Sequence, residues 1–312
     1  MTKRILVTGG AGFIGSNFVD YMNTHDPGTH VTVYDDFSTG LDNNLAGAQC
    51  TVIRDSILNA PALVHAARGV DSIVHLAAIG SVPLSVAHPR PTHDANATGT
   101  LNVLEAAREN SVDHVVVASS SSVYGLNPSL PKNELDWTRP LSPYAASKLA
   151  TESYALAYGA SYGMRTLAFR FFNVYGPRQR ADHPYAAVIP KFIDSAIAGR
   201  PLVIHGDGLQ SRDFTYVESV CSKLYDSVMR HAQYNQPVNL AFGTNTTLLD
   251  LVAELEDVLN CTVALEHQEP RAGDVRSSQA DTSLLGTLFP EARPVSLRVG
   301  LKNTVEWFAR GD

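Results

Sequence analysis

Arg4-Ile-Leu-Val-Thr-Gly-Gly-Ala-Gly-Phe-Ile-Gly15 decides the fold of this 312-residue chain. Ile5-Leu6-Val7 is an apolar run long enough for one buried strand, and it breaks at once into Gly9, Gly10, Gly12 and Gly15. Phe13, Ile14, Phe18, Val19 and Met22 then recur at three- and four-residue spacing, the period of one helix face. The order is strand, glycine-rich turn, helix. Gly9 allows a sharp turn, Gly12 removes a side chain that would block a pyrophosphate, and Gly15 lets the helix approach the sheet. The helix N-terminus, at Phe13 and Ile14, offers N–H groups and a positive dipole end to phosphates. The spacing is Gly-x-x-Gly-x-x-Gly rather than Gly-x-Gly-x-x-Gly, and in this strand-to-helix context it predicts a nucleotide site.

Downstream the same pattern repeats. Val31-Thr-Val-Tyr-Asp35 reads as a second strand ending in an acid, twenty residues past Gly15. A carboxylate at Asp35 suits the adenosine ribose hydroxyls and would repel a 2′-phosphate, which selects NAD over NADP. Asp36-Phe37-Ser38-Thr39-Gly40 is a polar loop able to close over that ribose. Residues 50–54 read as a third strand ending at Asp55-Ser56, a pair that could hydrogen-bond the adenine amine and equally could cap the next helix. The fourth, Ser72-Ile-Val-His-Leu76-Ala77-Ala78, ends in small residues that leave room for a cofactor; His75 reads as a packed strand-end histidine. A helical pattern spans 94–109, and His114–Ser119 is the fifth strand. Strands alternating with helices over the first 120 residues predict a parallel, doubly wound α/β sheet.

Composition narrows the function classes. The chain is 44% hydrophobic and 18% charged, enough for a large core, and its net charge of −7 points away from nucleic acid and anionic membranes. Cys50, Cys221 and Cys261 are sparse and without metal-ligand spacing, which fits a reducing compartment. The histidines form no convincing metal pair, so no metal is expected. No apolar stretch reaches the roughly 18–20 residues of a membrane span. The first strand starts four residues in, leaving no space for a signal peptide before it. The expectation is a soluble cytoplasmic protein.

The fifth strand runs into Ser119-Ser120-Ser121-Ser122, hydroxyls that belong at the ligand-facing end of such a sheet. Beyond it, in Ser142-Pro-Tyr144-Ala-Ala-Ser-Lys148, Tyr144 and Lys148 are four apart and share a helix face. A tyrosine with a pKa of about 10 is a poor base at neutral pH. A lysine ammonium one turn away and a cationic nicotinamide both favour the phenolate. Tyrosine then serves as general base for an alcohol losing hydride, with a serine of the 119–122 run on the same substrate oxygen.

At this point the chain resembles the extended short-chain dehydrogenase/reductase superfamily, and within it nucleotide-sugar 4-epimerases of the UDP-glucose and UDP-N-acetylglucosamine type. TGGAGFIG, YDDFSTG, HLAA, ASSSSVYG, SPYAASK, RFFNVYGPRQ, YAAVIPKF, GDGLQSRDFTYV and PRAGDVRSSQAD carry the resemblance over essentially the whole chain. It implies Tyr144 as base, Lys148 tuning it and binding the nicotinamide ribose, and Ser120 as the partner hydroxyl. It implies Asn96 and Ser119 on the cofactor side, with Phe171 and Phe172 near the nicotinamide. Asn173, Arg212 and Arg271 would hold the diphosphate, Asp274 the uridine ribose, and the Ala187-Val188 backbone the base. Ser278 stands where glucose-only relatives carry tyrosine, and Gly80 where many carry lysine; both favour accepting N-acetylated hexoses. NAD would be a tightly bound cofactor, regenerated each turnover as a 4-keto sugar swings and takes its hydride back.

The resemblance also ranks the alternatives. Ser120-Ser121-Ser122 holds no carboxylate where a 4,6-dehydratase or a decarboxylase is expected to place one. A UDP-glucuronate 4-epimerase shares Ser-Ser-Ser-Val-Tyr-Gly but usually has threonine in place of Asn173. A non-enzymatic NAD sensor would be expected to have lost Tyr144 or Lys148. The expected architecture is a Rossmann-type doubly wound parallel sheet with a smaller mixed α/β C-terminal substrate domain. The NAD domain would hold residues 1–175 and 213–243, and the substrate domain 176–212 and 244–312. In relatives, helices matching 95–110 and 143–162 form a homodimer interface, so a homodimer is implied.

Overall fold

Ile5, Leu6 and Val7 are buried in β1 (Arg4–Thr8), an inner strand of the main sheet next to its central strand. The structure, a computed structural model, describes residues 3–182, 186–269, 276–291 and 293–310. In chain order follow α1 (Phe13–His25), β2 (His30–Asp35), β3 (Thr51–Arg54), α2 (Ala60–Ala66), β4 (Ser72–His75), α3 (Val82–Ala87), α4 (Pro89–His93), α5 (Gly99–Glu109), β5 (His114–Ser120), α6 (Pro143–Tyr162) and β6 (Arg165–Phe171). The remainder comprises β7 (Val174–Tyr175), α7 (Val188–Ile197), β8 (Leu202–His205), β9 (Ser211–Arg212), β10 (Thr215–Tyr216), α8 (Val217–Arg230), β11 (Val238–Leu240), β12 (Thr246–Thr247), α9 (Leu248–Leu259), β13 (Leu265–Gln268), β14 (Ser277–Ser278), α10 (Ser283–Leu288) and α11 (Leu297–Arg310).

The chain forms two compact units. One comprises Met1–Asn127, Trp137–Phe171 and Cys221–Val238; the other comprises Pro128–Asp136, Phe172–Val220 and Asn239–Asp312. Pro128–Asp136 therefore goes with the second unit, inside a stretch that the sequence reading keeps in the first.

The main sheet has the strand order β11-β6-β5-β4-β1-β2-β3, parallel from β6 through β3. The chain winds outward from β1 through β2 and β3, then returns to β4 on the other side of β1. That reversal opens a crevice beyond the C-terminal ends of β1 and β4, where α/β sheets of this kind bind ligands. The inner strands read as unbroken apolar runs because both faces are covered. On one face Leu63 of α2, Val103 and Leu104 of α5 and Ala155 of α6 pack with Leu6, Ile73, Val115 and Val117 of the sheet. α1 buries Phe18, Val19 and Met22.

Two helices deserve their local causes. α6 starts where the Ser142 hydroxyl accepts from the Ala145 amide (3.1 Å), with Pro143 in its first turn, and stops at Gly163, whose φ of +70° is left-handed. The single helix predicted over 94–109 is instead a π-helical turn at Asp94–Thr98 followed by α5, and α4 precedes them. In this turn Gly99 N donates to Asp94 O, five residues back, and Asn96 O accepts from the hydroxyls of Thr100 and Thr151.

The second unit holds a three-stranded sheet, β12-β9-β14, and two parallel pairs, β13-β8 and β10-β7. α9 begins with a capping box between Thr247 and Asp250. Among the described residues, no helix is long and apolar enough to cross a membrane.

Candidate active site

The glycine turn after β1 is built by close approach. Gly9 has φ +72°, and a Cβ there would lie 2.5 Å from the Ala77 amide nitrogen. The turn and the exit of β4 at Leu76–Ala78 therefore press together backbone to backbone. Gly15 packs against the turn itself, since a Cβ there would strike the Gly9 carbonyl. Gly12 is different. A Cβ at Gly12 would meet only Gly9 O within 4 Å, at 3.3 Å. Gly12 is also the N-cap of α1, with no side-chain cap on the helix amides at Phe13 and Ile14. An open cradle before an uncapped helix N-terminus fits a pyrophosphate.

Asp35, at the end of β2, is buried and accepts from Ala11 N (2.9 Å) through one oxygen and Phe37 N (2.8 Å) through the other. Burial raises its pKa, and those two amide hydrogen bonds oppose the rise. A carboxylate has about four acceptor directions, so two remain for ribose hydroxyls. The loop behind it hugs the same turn. Asp36 accepts from the amide and hydroxyl of Ser38, and Leu41 N and Asn44 Nδ2 both donate to Ala11 O. A Cβ at Gly40 would crowd Ala11 Cβ at 2.8 Å, and Thr39 stays exposed. Asp55 accepts from Ser56 N (2.7 Å) and from Asn59 Nδ2 (2.8 Å), and Asn59 is the N-cap of α2.

His75 is sealed between two hydroxyls, Thr8 Oγ1 (2.7 Å) and Thr100 Oγ1 (3.0 Å). Burial and the nearby Lys148 charge push its pKa down to about 3, so the ring is neutral. It packs the strand end, as the sequence reading has it.

The reactive groups meet where β5 delivers its serines to the start of α6. Ser120, at the end of β5, lies close enough to Tyr144, in the first turn of α6, for its hydroxyl to lower the phenol's pKa. Ser120 Oγ accepts from the hydroxyl (2.9 Å) and amide (3.2 Å) of Ser122, which opens the short 3-10 turn Ser121–Tyr124. Tyr144 is half-buried as a residue, but its phenol end is desolvated; burial raises its pKa and the nearby Ser120 hydroxyl lowers it. Lys148, one turn on, is 5% exposed, and its Nζ donates to Ala118 O at 2.8 Å. Burial pushes its pKa down to about 8. The ammonium thus serves the β5 backbone here.

Two residues expected on the cofactor side also make hydrogen bonds within the protein. Ser119 Oγ donates to Glu152 Oε2 (2.7 Å) and, more weakly, to Lys148 O (3.3 Å), so its one proton faces the interior. Asn96 is 1% exposed. Its Oδ1 accepts from Ile79 N (2.8 Å), and its Nδ2 donates to Ile79 O (3.2 Å) and Ser147 Oγ (2.9 Å). Both amide protons are spent on tying the β4 exit to α6, and Ser147 Oγ in turn donates to Tyr144 O (2.7 Å). Phe171 is partly exposed at the end of β6, stacked on Phe169, whereas Phe172 is wholly buried as a core residue. Gly80 faces open space: a Cβ there would meet nothing within 4 Å.

In the second unit, Arg212 and Ser278 are register partners across β9 and β14, bringing together two of the predicted substrate residues. Asp213 anchors that strand end: it is fully buried and accepts from Gly243 N (2.9 Å), Ala280 N (3.1 Å) and Thr244 Oγ1 (2.9 Å). Asn173, at φ +36°, donates from Nδ2 to Asp213 O at 3.1 Å. Ala187 and Val188 form the start of α7, which has no side-chain cap. Arg271 and Asp274 lie outside the described residues.

Sequence reasoning missed Glu152 and Arg170. Glu152 Oε1 accepts from Arg170 Nη2 (2.7 Å) and its Oε2 from Arg170 Nε (3.0 Å); both side chains are buried. The available signal was Glu152 four residues beyond Lys148, on the face that carries Tyr144.

Comparison with known proteins agrees with this geometry. A family model described as the NAD dependent epimerase/dehydratase family matches residues 5–241. A putative UDP-glucose 4-epimerase of Methanocaldococcus jannaschii is 35% identical, covering 99% of each chain. A probable UDP-glucuronate 4-epimerase of Rhizobium meliloti is 32% identical, over 98% of this chain and 96% of its own. The solved UDP-N-acetylglucosamine 4-epimerase of Methanobrevibacter ruminantium M1, in complex with UDP-N-acetylmuramic acid, is 38% identical with a TM-score of 0.94, over 100% of this chain and 99% of that one. The open cradle at Gly12, the carboxylate of Asp35 and these whole-length matches lead to one conclusion: the chain belongs to the NAD dependent epimerase/dehydratase family, and NAD is its cofactor.

Proposed function

We propose that this protein interconverts the C4 epimers of a UDP-linked hexose through a transient 4-keto sugar. The observation that carries the reading is the buried Lys148, held on Ala118 O one helical turn from Tyr144, with the end of β5 and its Ser120 beside them. Tyr144 removes the proton of the sugar C4 hydroxyl and returns one to the 4-oxygen in the second half of the cycle. Ser120 hydrogen-bonds the same oxygen and stabilises the phenolate. Lys148 fixes the β5 end and holds the nicotinamide ribose. NAD, held at this site, would supply reversible hydride acceptance. Gly12, Phe13 and Ile14 hold the pyrophosphate, and Asp35 the adenosine ribose. Asn173, Arg212 and Arg271 grip the substrate diphosphate, the arginines through their planar forks. Asp274 takes the uridine ribose, and the Ala187-Val188 backbone the base.

The substrates are UDP-glucose and UDP-galactose together with their 2-N-acetyl counterparts. The open space at Gly80 and the short Ser278 side chain support the acetylated pair. A UDP-glucuronate 4-epimerase is the second reading, favoured by the Rhizobium meliloti relative and opposed by Asn173. Incubation with UDP-glucose, UDP-N-acetylglucosamine and UDP-glucuronate separately, followed by product stereochemistry by NMR, separates them. Tyr144→Phe should cut the active arm by about 10²–10⁴-fold while retaining NAD. No C4 epimer from any arm, or an accumulating 4-keto product, would overturn the proposal.

A further inference from the structure

Behind the reactive groups lies a charged pair that the chemistry above does not use. Tyr144, Lys148 and Glu152 follow one another at four-residue steps on α6, so one helix face presents a phenol, an ammonium and a carboxylate. Glu152 is 2% and Arg170 3% exposed, and the two meet through a fork-to-fork pair of hydrogen bonds. Taking both charges out of water is costly, and replacing such a pair by apolar residues of similar size is often neutral or stabilising. Stability alone is therefore a weak reason for this pair.

Its contacts supply a better one. Ser119 and Arg170 are register partners on β5 and β6, and Ser119 Oγ donates to Glu152 at 2.7 Å. On the other side, the Arg170 guanidinium lies over the Tyr124 ring, 4.6 Å from its centroid. Tyr124 closes the turn that Ser120 opens. The pair thus grips residues 119 and 124, on either side of Ser120, and anchors α6 one turn beyond Lys148. We propose that Glu152 and Arg170 are positioning residues: together they bracket Ser120 and set its hydroxyl, and Lys148 on Ala118 O, against Tyr144. Neither touches substrate or cofactor. The proposal rests on the reading of Tyr144 as the base.

The test uses the NAD-bound protein. Glu152→Leu combined with Arg170→Met removes both charges and the acceptor for Ser119 without stranding a buried ion. A positioning role predicts a folded protein that retains NAD, with kcat lowered about thirty-fold and KM within about three-fold, because small misplacements of reacting groups act on rate. It also predicts that the Tyr144 phenol titrates higher, since the nearby Ser120 hydroxyl that favours its ionised form is displaced. The phenol is read at 295 nm as the difference between each protein and its own Tyr144→Phe counterpart. That readout is independent of turnover. Inactivity of the parent protein on every UDP-sugar would sink the function proposed above, while the titration still decides this one. A folded double variant with parent kcat and parent phenol titration overturns the positioning role. Should the double variant fail to fold, Ser119→Ala decides, because it cuts the link to β5 and leaves the ion pair whole. A several-fold loss of kcat with the upward titration shift supports the proposal, and parity refutes it.

Discussion

Replacing Lys148 by methionine should make the NAD-free protein more stable while destroying its chemistry. The structure gives the size of the effect. Lys148 is 5% exposed, and burial lowers its pKa from the usual 10.5 to about 8. At about 1.4 kcal/mol for each pH unit, holding the charged form inside costs about 3 kcal/mol. Methionine is close in shape and carries no charge, so that cost disappears. The lost donor to Ala118 O gives back about 1 kcal/mol. The expected net gain at pH 7 is about 2 kcal/mol. The sign with pH follows from linkage. Between pH 8 and 10.5 the unfolded chain holds the lysine proton and the folded chain releases it, so parent stability rises across that window. The Lys148→Met protein lacks that contribution, and its advantage should shrink between pH 7 and pH 10. Urea unfolding of both proteins at the two pH values measures this. A methionine variant no more stable than the parent at pH 7, or an advantage that does not shrink, would refute the electrostatic account of Lys148.

Three more outcomes follow from single contacts. Gly9→Ala forces a Cβ to within 2.5 Å of the Ala77 amide at a left-handed φ, so it should cost a few kcal/mol and abolish NAD retention, read by absorbance of the purified protein. Gly80→Lys enters open space and should leave the melting temperature unchanged; if the acetylated sugars are substrates, their kcat/KM should fall more than that of the plain sugars. His75, neutral with a pKa of about 3, makes the fold lose stability as pH falls from 6.5, because only the unfolded chain takes up that proton. His75→Asn should flatten the decline between pH 6 and 4 in urea melts.

The fold was legible wherever one local rule dominated. Gly9 to Gly15 and the apolar strand runs fix β1, α1 and the parallel sheet, because close backbone approach and two-sided burial leave few other residues possible. Tyr144 and Lys148 were legible because their spacing is itself the geometry. Four consecutive serines were less so: the pleat and the end of β5 send Ser119 inward and leave Ser120 to meet Tyr144, and composition does not announce which is which. The π-helical turn at Asp94–Thr98 hydrogen-bonds Thr151, more than fifty residues away in the chain, a contact that no local pattern reveals. Arg170 pairs with Glu152 across β6 and α6, and each alone reads as an ordinary surface charge.

The π-helical turn also has a bearing on how this segment tolerates change in length. Each residue of a regular helix advances the direction of its side chains by about 100°. Deleting one residue between Asp94 and Thr98 would restore an unbroken helix, yet it would swing everything upstream by that angle relative to α5. Asn96 could then no longer grip Ile79 and Ser147 at once. The extra residue works as a spacer that keeps two partners in phase, which makes this stretch intolerant of deletion even where substitution is harmless.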